Sequence, residues 1–497
     1  MEQGFERTGI AYLDTVLEEV QNTEQIQEIR IPDGMPDVGK ILCAWGQVIL
    51  RGKEWREGSV SCSGGLMVWV LYAPEDGSRE RCLESWIPFQ LRWDIPEGIP
   101  EGKIHLGLLT RFVDARAISP RKLMVRAGIA GRVQVLCPGE AELYRRAEVP
   151  GMQLLHSTYP LRLNREAGEK TFELEESLAV PDSVPVPEEL VYYRMEPKVT
   201  EKKILSDKLM FRGKGELHLL YRSEEGQLHS WDFEIPFSQL APLEKEHGPE
   251  AQAELSLVNV ELGLDLDDEG RMRLKGAMAG QYVISDRILV EMTEDAYLPG
   301  KRLRLEKREV ELPVILQQRR ENIYAEQTLS ADANLVVDTC FLPDHPRQRR
   351  MEDGVDMEIP GGLQVLYYGP DGALGSVSGK WTGQHRMGAD GESSLAPLPL
   401  TAQAHTLTGN GQLIVKLELP LEITASARQR LEMVTAIEPG ETVAPDPNRP
   451  TLILRRAGEE RLWDLAKGSG TTVEAIRRIN RLAGEPEPGQ LLLIPVP

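Results

Sequence analysis

The stretch Leu71-Tyr72-Ala73-Pro74-Glu75-Asp76-Gly77 decides the fold, because its pattern occurs three times in the chain. It recurs as Leu220-Tyr221 closed by Gly226, and again as Leu366-Tyr367 closed by Gly372. The three tyrosines are 149 and then 146 residues apart. An apolar strand, a Tyr and a polar turn closed by Gly, repeated at a nearly constant period, predict one β domain used three times.

Length and charge limit the class of protein. A chain of 497 residues is too long for a single core and predicts three or four domains. Its 41% hydrophobic and 27% charged residues are typical of a folded chain. The formal net charge of −21 repels phosphate backbones and argues against nucleic-acid binding.

The start of the chain and its cysteines indicate the compartment. Residues 1–7 lack the basic and apolar regions of a secretory signal. No apolar run approaches the roughly 18 residues that span a bilayer. The five cysteines are widely spaced and form no Cys-x-x-Cys, which indicates reduced thiols. We therefore expect a cytoplasmic protein without a transmembrane segment.

The flanks of the repeated stretch also recur. In the first two copies a proline turn begins 41 residues before Tyr72 and Tyr221, and the strand after the Gly turn ends in Ile-Pro-Phe. The third copy diverges, since it lacks Ile-Pro-Phe and carries Trp381 in that neighbourhood. The recurring flanks are Ile31–Asp37 and Val180–Pro185 before the tyrosines, and Ile87–Phe89 and Ile235–Phe237 after them.

These patterns predict a mainly β chain of tandem, sandwich or barrel-like units followed by a small β-α-α-β domain. Helix or strand stays open for residues 8–31, where the apolar spacing fits both. Thr472 is placed to cap the second helix of the small domain. The expected limits are 1–160, 161–315 and 316–437 for the three copies, 438–450 for a proline-rich linker, and 451–497 for the small domain.

The residue patterns offer no catalytic or metal centre. None of the eight histidines pairs with a second His or a Cys at ligand spacing. The loop from Asp265 resembles the start of a calcium loop, but Gly276 stands where a bidentate Glu is needed. Gly213-x-Gly215 leads into a strand and cannot place a pyrophosphate on a helix. We expect no cofactor, no metal and no enzymatic activity.

The last 47 residues, 451–497, resemble the LysM domain. The resemblance implies the β-α-α-β fold and, in many members, binding of N-acetylglucosamine by the loops after the first strand and the second helix. Here Glu459-Glu460-Arg461 replaces the usual Gly-Asp-Thr, which argues against sugar binding. The residues that carry the resemblance are Leu462–Ala466, Thr471–Val473, Ile476, Ile479-Asn480, Pro488–Gln490 and Leu493–Pro495.

The three copies resemble the SPOCS domain of spore coat assembly proteins. Copy one resembles it best, copy two well and copy three in part. With one LysM at the end, the order resembles SipL-like coat morphogenesis proteins. This implies a scaffold in the mother cell at the forespore surface that binds the coat basement ATPase and other morphogenetic proteins. The resemblance rests on Ile31–Val38, Ile41-Leu42, the Leu-Tyr strands, Ile-Pro-Phe, Arg121-Lys122 and Val125-Arg126.

The residue patterns and the resemblances leave three candidate functions for this protein. The first is a non-catalytic interaction protein, in which Trp463 either anchors a partner or packs in the domain core. The second is a module that binds peptidoglycan glycan, and the third is a wall hydrolase, for which no catalytic group is found. The predicted partner- or glycan-binding residues are Trp463, Asp464, Glu460, Arg461, Asn480 and Leu482.

Overall fold

The computed structural model describes residues 5–147, 151–352, 354–388, 393–442 and 450–496. Strands dominate it, and two short helices lie near the C-terminal end. Most strands belong to three successive units that share one order of elements. The predicted mainly β fold is therefore confirmed.

Unit one contains two three-stranded antiparallel sheets, β1-β6-β5 and β2-β3-β4. The sheets share one apolar core, so the unit is a sandwich. Residues 8–31, for which the sequence left two options, lie almost entirely in the first strand. The strands are β1 (Phe5–Arg30), β2 (Val38–Arg56), β3 (Ser59–Pro74), β4 (Arg81–Asp94), β5 (Lys103–Ser119) and β6 (Lys122–Ala147).

Unit two repeats this order, with sheets β7-β12-β11 and β8-β9-β10. In both units the long first strand pairs with the long last strand, and a three-stranded meander lies between them in sequence. The strands are β7 (Gln153–Leu178), β8 (Pro187–Leu205), β9 (Lys208–Ser223), β10 (Leu228–Pro242), β11 (Gln252–Leu266) and β12 (Met272–Tyr297).

Unit three keeps the plan with extra short strands. β20 pairs with β13, β18 and β19, while β16 pairs with β14, β15 and β17. The expected domain limits stay predictions, but those at 160/161 and 315/316 fall inside β7 and β13, and residues 438–442 continue β20. Residues 443–449 of the expected linker lie outside the described part. The strands are β13 (Lys301–Ser330), β14 (Leu335–Pro343), β15 (Arg347–Met351), β16 (Gly354–Tyr368), β17 (Leu374–Met387), β18 (Ser394–Pro399), β19 (Gln403–Gly409) and β20 (Gln412–Thr442).

The C-terminal module, residues 450–496, contains two strands and two helices. The strands pair antiparallel, and the helices lie between them in sequence. Its elements are β21 (Leu452–Arg456), α1 (Leu462–Ser469), α2 (Val473–Asn480) and β22 (Leu491–Pro495).

The repeated Tyr is a structural residue in units one and two. Tyr72 and Tyr221 are both 0% exposed. Tyr72 donates its hydroxyl proton to the carbonyl of Pro36 at 3.0 Å, and Tyr221 donates to that of Pro185 at 2.9 Å. Each bond joins the central strand to the proline turn that precedes the three-stranded meander of its unit, which explains why the turn and the Tyr recur at a fixed distance.

The Gly that closes each turn adopts a conformation that other residues avoid. Gly77, Gly226 and Gly372 have φ of 72°, 85° and 75°. Each donates its N–H to the carbonyl three residues earlier, at 3.3, 2.8 and 3.0 Å respectively. A residue with a Cβ is strained at such positive φ, so Gly is needed at the turn in all three units.

The Ile-Pro-Phe motif places an aromatic ring over a glycine of the central strand. Phe89 lies opposite Gly64, and Phe237 lies opposite Gly213. A Cβ on either glycine would meet the ring at 2.9 and 2.6 Å respectively. In unit three Trp381 lies opposite Gly361, six residues before Tyr367, whereas Gly64 and Gly213 lie eight residues before their tyrosines, so Trp381 is two register positions away from the Phe site. The Phe ring covers a strand segment that has no side chain of its own.

The long strands also form a second apolar core away from the sandwiches. The outer parts of the ribbons β1/β6, β7/β12 and β13/β20 pack against one another there. Burying each large aliphatic side chain contributes about 1.5–3 kcal/mol, so this core joins the units strongly. Its members include Ile10, Leu143, Leu161, Val290, Leu312 and Leu431.

A buried polar cluster joins all three units at Asp338, which is 4% exposed. Trp45 of unit one donates its indole N–H to Asp338 Oδ2 at 3.1 Å. Nε2 of His218, from unit two, lies 2.9 Å from Oδ1 of the same carboxylate. Nδ1 of His218 lies 2.6 Å from Asp232, and the Trp45 ring stacks on Tyr192 with centroids 4.8 Å apart. We call this group the Asp338 junction.

Protonation states at the Asp338 junction favour an ion pair. Burial lowers the pKa of His218, but the attraction of Asp338 and the hydrogen bond with Asp232 raise it more, to about 9. Burial raises the pKa of Asp338, yet the His218 charge outweighs it and the net shift is downward. A positive imidazolium therefore faces a negative carboxylate at neutral pH.

Further contacts join the units in pairs. Arg222 of unit two is 1% exposed and lies 3.3 Å from Glu80 of unit one. Gln281 of unit two exchanges two hydrogen bonds with the backbone of Leu106 in unit one, at 2.8 and 2.9 Å. Arg428 of unit three binds both carboxylate oxygens of Asp14 at 2.8 Å. The three units therefore form one interlocked body.

Removing the repeated hydroxyl tests its structural role. We expect Tyr72→Phe and Tyr221→Phe each to lower the free energy of unfolding by about 1 kcal/mol, because each loses a hydrogen bond to a proline-turn carbonyl. The half-buried Tyr367 has no such bond among the described residues, so Tyr367→Phe is the matched control. Urea denaturation measures all three, and equal effects would contradict the assignment.

The Asp338 junction predicts a pH dependence. Because the folded pKa of His218 is about 9 and its unfolded value is about 6.5, its protonation stabilises the fold fully below pH ~6.5. We expect about 3 kcal/mol of stability to be lost between pH ~6.5 and ~9.

Urea denaturation across this pH range measures the loss. In His218→Gln the slope is expected to disappear, while His405→Gln, at an exposed position of β19, keeps it. Parallel profiles for wild type and His218→Gln would count against the ion pair.

Candidate functional site

The C-terminal module has its own apolar core, which fixes the residues predicted to bind partners. Ile453 of β21 and Leu492 and Ile494 of β22 point toward the helices, as the two-residue period of a strand requires. Six side chains of this core are at most 2% exposed: Leu462, Leu465, Ala466, Ile476, Leu492 and Ile494.

The two helices begin with different caps. Thr472 Oγ1 accepts the N–H of Ala475 at 3.1 Å, which confirms the cap predicted for α2. Arg461 stands at the N-cap of α1 and makes no side-chain cap bond. Instead, a carboxylate oxygen of Glu485 accepts the N–H of Leu462 at 2.7 Å. The loop after α2 therefore caps α1, where a negative charge also suits the helix dipole.

The same two loops are joined by their backbones. The N–H of Ala457 donates to the carbonyl of Gln490 at 2.8 Å, and the N–H of Gly489 donates to the carbonyl of Ala457 at 2.7 Å. The sequence resemblance predicts a sugar groove between these two loops. Here the side chain of Glu485 and these backbone bonds connect the two sides.

Trp463 lies where the module meets unit two. Only 7% of the residue is exposed. Its indole N–H donates to Asp295 Oδ2 at 2.8 Å, and its ring meets the Tyr297 ring edge-on, with centroids 4.8 Å apart. Lys467 Nζ lies 2.7 Å from both Asp295 oxygens. Of the two options that the sequence left open, Trp463 packs internally, and it packs against another unit as well as its own core.

A β-bulge aims Asp295 at the module. The register of β12 against β7 shifts between Thr293 and Asp295, and such a bulge re-aims the side chain of the inserted segment. Burial raises the pKa of Asp295, but the hydrogen bonds from Lys467 and Trp463 outweigh it, so the net pKa is lowered. The carboxylate is thus charged and shared between two donors. We call this contact the Asp295 dock.

The other predicted residues fall into two groups. The Asn480 amide donates to the carbonyls of Ile476 at 2.9 Å and Leu493 at 2.6 Å, and its oxygen accepts the N–H of Leu493 at 2.7 Å. Asn480 therefore holds β22 to α2, and Leu482 is half-buried beside the core.

Glu460, Arg461 and Asp464 lie together at the start of α1. Arg461 Nε is 3.4 Å from Asp464, and Glu460 pairs with Arg455 at 2.7 Å. Exposed pairs of this kind contribute little to stability. Sequence reasoning missed Asp295, Tyr297 and Lys467, because no local pattern shows that a strand of unit two meets this module. It missed Glu485 because this residue caps a helix that begins 23 residues earlier in the chain.

The outer face of the strand pair β21/β22 is apolar and exposed. Leu454 lies opposite Leu493 in the ladder, and both point away from the helices. The exposed fractions are 44% for Leu452, 63% for Leu454, 56% for Leu491 and 36% for Leu493. We call these four residues the leucine face. A contiguous exposed apolar patch of this kind is typical of an interaction surface.

The described residues contain no group of three His, Cys, Asp or Glu side chains placed to hold a metal ion. Separately, neither helix in the described segments has the length and hydrophobicity of a membrane span.

Comparison with known proteins gives one match to a family model, over part of unit two. Residues 188–264 match the model described as SipL, SPOCS domain. The matched segment runs from the start of β8 almost to the end of β11, whereas the sequence resemblance had ranked unit one first. Neither the curated proteins nor the solved structures give a significant match.

The Asp295 dock predicts that the module separates from unit two when its carboxylate is removed. We expect Asp295→Ala to lower the docked-to-undocked ratio about 30-fold, roughly 2 kcal/mol, because the indole N–H and Lys467 lose their acceptor. Hydrogen exchange of peptides covering 153–157 and 462–468 measures the opening.

An exposed turn residue, Asp268, supplies the control variant Asp268→Ala. Unchanged exchange in Asp295→Ala would show that the dock does not depend on this carboxylate.

Proposed function

We propose that this protein is a non-catalytic scaffold of the endospore coat. It acts in the mother-cell cytoplasm and is recruited to the forespore surface. The observation that carries the proposal is the match of residues 188–264 to the SipL, SPOCS domain model. It supports a role in sporulation of the SipL kind. The recurrence of the same strand order in units one and three extends that support beyond the matched segment.

The interlocked body suits a scaffold. Three sandwiches joined at the Asp338 junction and through their long ribbons hold their outer strands at fixed separations. Outer strands such as β4 and β10 have a neighbour on one side in their sheets, and strand edges are common sites of partner addition. A rigid arrangement lowers the entropy lost when a partner binds several surfaces together.

The proposed partner of the C-terminal module is the coat basement ATPase. Trp463 is covered by Asp295 and Tyr297, so we assign the contact to the leucine face. Its side chains are exposed without being needed in the module core. A partner that covers them gains about 25 cal/mol for each Å² of apolar surface removed from water.

Glycan binding by the module is the competing function. It would use the groove between the loops 457–461 and 481–490. Glu485 of the second loop bonds the backbone of Leu462 just beyond the first, and opening the groove would leave that N–H without its acceptor. Sedimentation of the full chain with purified peptidoglycan tests this function directly.

Charge on the leucine face is the sharpest test of the proposed partner contact. We expect Leu454→Asp to weaken binding of the full chain to the coat ATPase at least tenfold, because a carboxylate in an apolar contact costs more than 1.4 kcal/mol. Leu454 is 63% exposed and Leu289, on β12 of the body, is 67% exposed, so Leu289→Asp is the matched control.

The same pair of variants is followed as fluorescent fusions in sporulating cells. Wild type and Leu289→Asp are expected to ring the forespore, whereas Leu454→Asp spreads through the mother cell. A uniform wild-type signal would refute the scaffold role. Normal recruitment of Leu454→Asp would refute the leucine face but leave the role itself standing.

A further inference from the structure

A cavity of about 380 Å³ lies where the three units meet. Its walls come from β2 and β5 of unit one, β8 and β11 of unit two, and β14 with residues 398–402 of unit three. The volume falls within the roughly 300–1,000 Å³ of small-molecule sites. The scaffold role proposed above makes no use of it.

Two nearly buried side chains in the cavity wall have polar atoms without protein partners. Asn259 is 7% exposed, and its amide nitrogen donates to the carbonyl of Met195 at 2.8 Å. Its Oδ1 accepts no hydrogen bond from the described residues. His345 is 6% exposed, and both ring nitrogens lack partners in the same described part of the chain. Buried polar atoms left unpaired cost about 1–3 kcal/mol each, which points to a bound group.

The protonation state of His345 suits hydrogen bonding by a neutral imidazole ring. Burial lowers its pKa to about 4, and the neighbouring Arg132 acts in the same direction. The ring is therefore neutral at pH 7, with one N–H donor and one acceptor nitrogen. With the Asn259 oxygen, it offers a ligand two acceptors and one donor.

The same wall carries an excess of basic side chains in a chain of net charge −21. Four cations line it against three carboxylates. Lys202 pairs with Glu422 at 2.7 Å and Lys198 pairs with Glu216 at 3.3 Å.

Burial lowers the pKa of Arg194, but nearby acidic groups, Asp338 and Glu196 among them, raise it more. The hydrogen bond of its Nη1 goes to the sulfur of Cys340 at 3.3 Å, and a thiol is a weak acceptor. A carboxylate would suit this guanidinium far better.

We propose that this cavity binds a small organic carboxylate that also carries hydroxyl groups. Arg194 holds the carboxylate, and the hydroxyl groups bond to Asn259 Oδ1 and the His345 ring. Because the walls belong to all three units, the ligand also fastens the units together. This inference does not depend on the proposed scaffold function.

Three six-carbon probes separate the chemical contributions. D-gluconate carries a carboxylate and hydroxyl groups, D-glucitol carries hydroxyl groups alone, and hexanoate carries a carboxylate alone. Isothermal titration of the full chain is expected to show saturable one-to-one binding of gluconate, with the other two at least tenfold weaker. Absent gluconate binding, or equal affinity for either matched probe, would overturn the proposal.

Variants then assign the residues. Arg194→Gln is expected to weaken gluconate binding about 10- to 100-fold, as loss of a charged hydrogen bond requires. Arg287→Gln, whose side chain is 51% exposed outside the cavity wall, should bind as wild type.

A thermal melt first checks that Arg194→Gln is folded. If it is not, His345→Phe, which fills the same position without ring nitrogens, takes its place and is expected to bind at least tenfold more weakly. Wild-type affinity in the folded variant would overturn the assignment of this cavity.

Discussion

The carboxylate of Asp338 is the constraint on which the assembly depends. It is 4% exposed, and an unpaired charge at such a buried position would be costly. Its partners are the Trp45 indole and the His218 imidazolium, each from a different unit. No unit can satisfy the cluster alone, so all three must come together before the charge is compensated. Specific association of the units follows from this requirement more than from apolar packing, which is less selective.

Local sequence patterns predict much of the fold. Alternating residues such as Ile87, Phe89, Leu91 and Trp93 show which face of β4 is buried. The Gly that closes each repeated turn indicates a backbone with positive φ, and the structure has that conformation at all three positions. These features depend on residues close in sequence or opposite in a hairpin, and short-range reasoning can therefore find them.

The long-range features could not be read from the sequence in the same way. Nothing near Asp338 indicates that its partners are Trp45 and His218, and nothing near Asp295 indicates Trp463. The second helix of the module and its Thr472 cap were predicted from local residues, whereas the internal contacts of Trp463 and Asn480 were not. The leucine face was not predicted, because strands as short as β21 and β22 show little alternation of apolar and polar residues.

The Asp338 junction also has a consequence for how the chain is made. Trp45 and Asp338 are 293 residues apart. At about 5–20 residues per second, a ribosome needs roughly 15–60 s to synthesise the segment between them. Until unit two is made, Trp45 lacks the Tyr192 ring that covers it, and its indole N–H lacks its acceptor for the whole interval. Biosynthesis of this protein therefore passes through a long-lived incomplete state, and the interval exposes apolar surface that a holding chaperone would recognise.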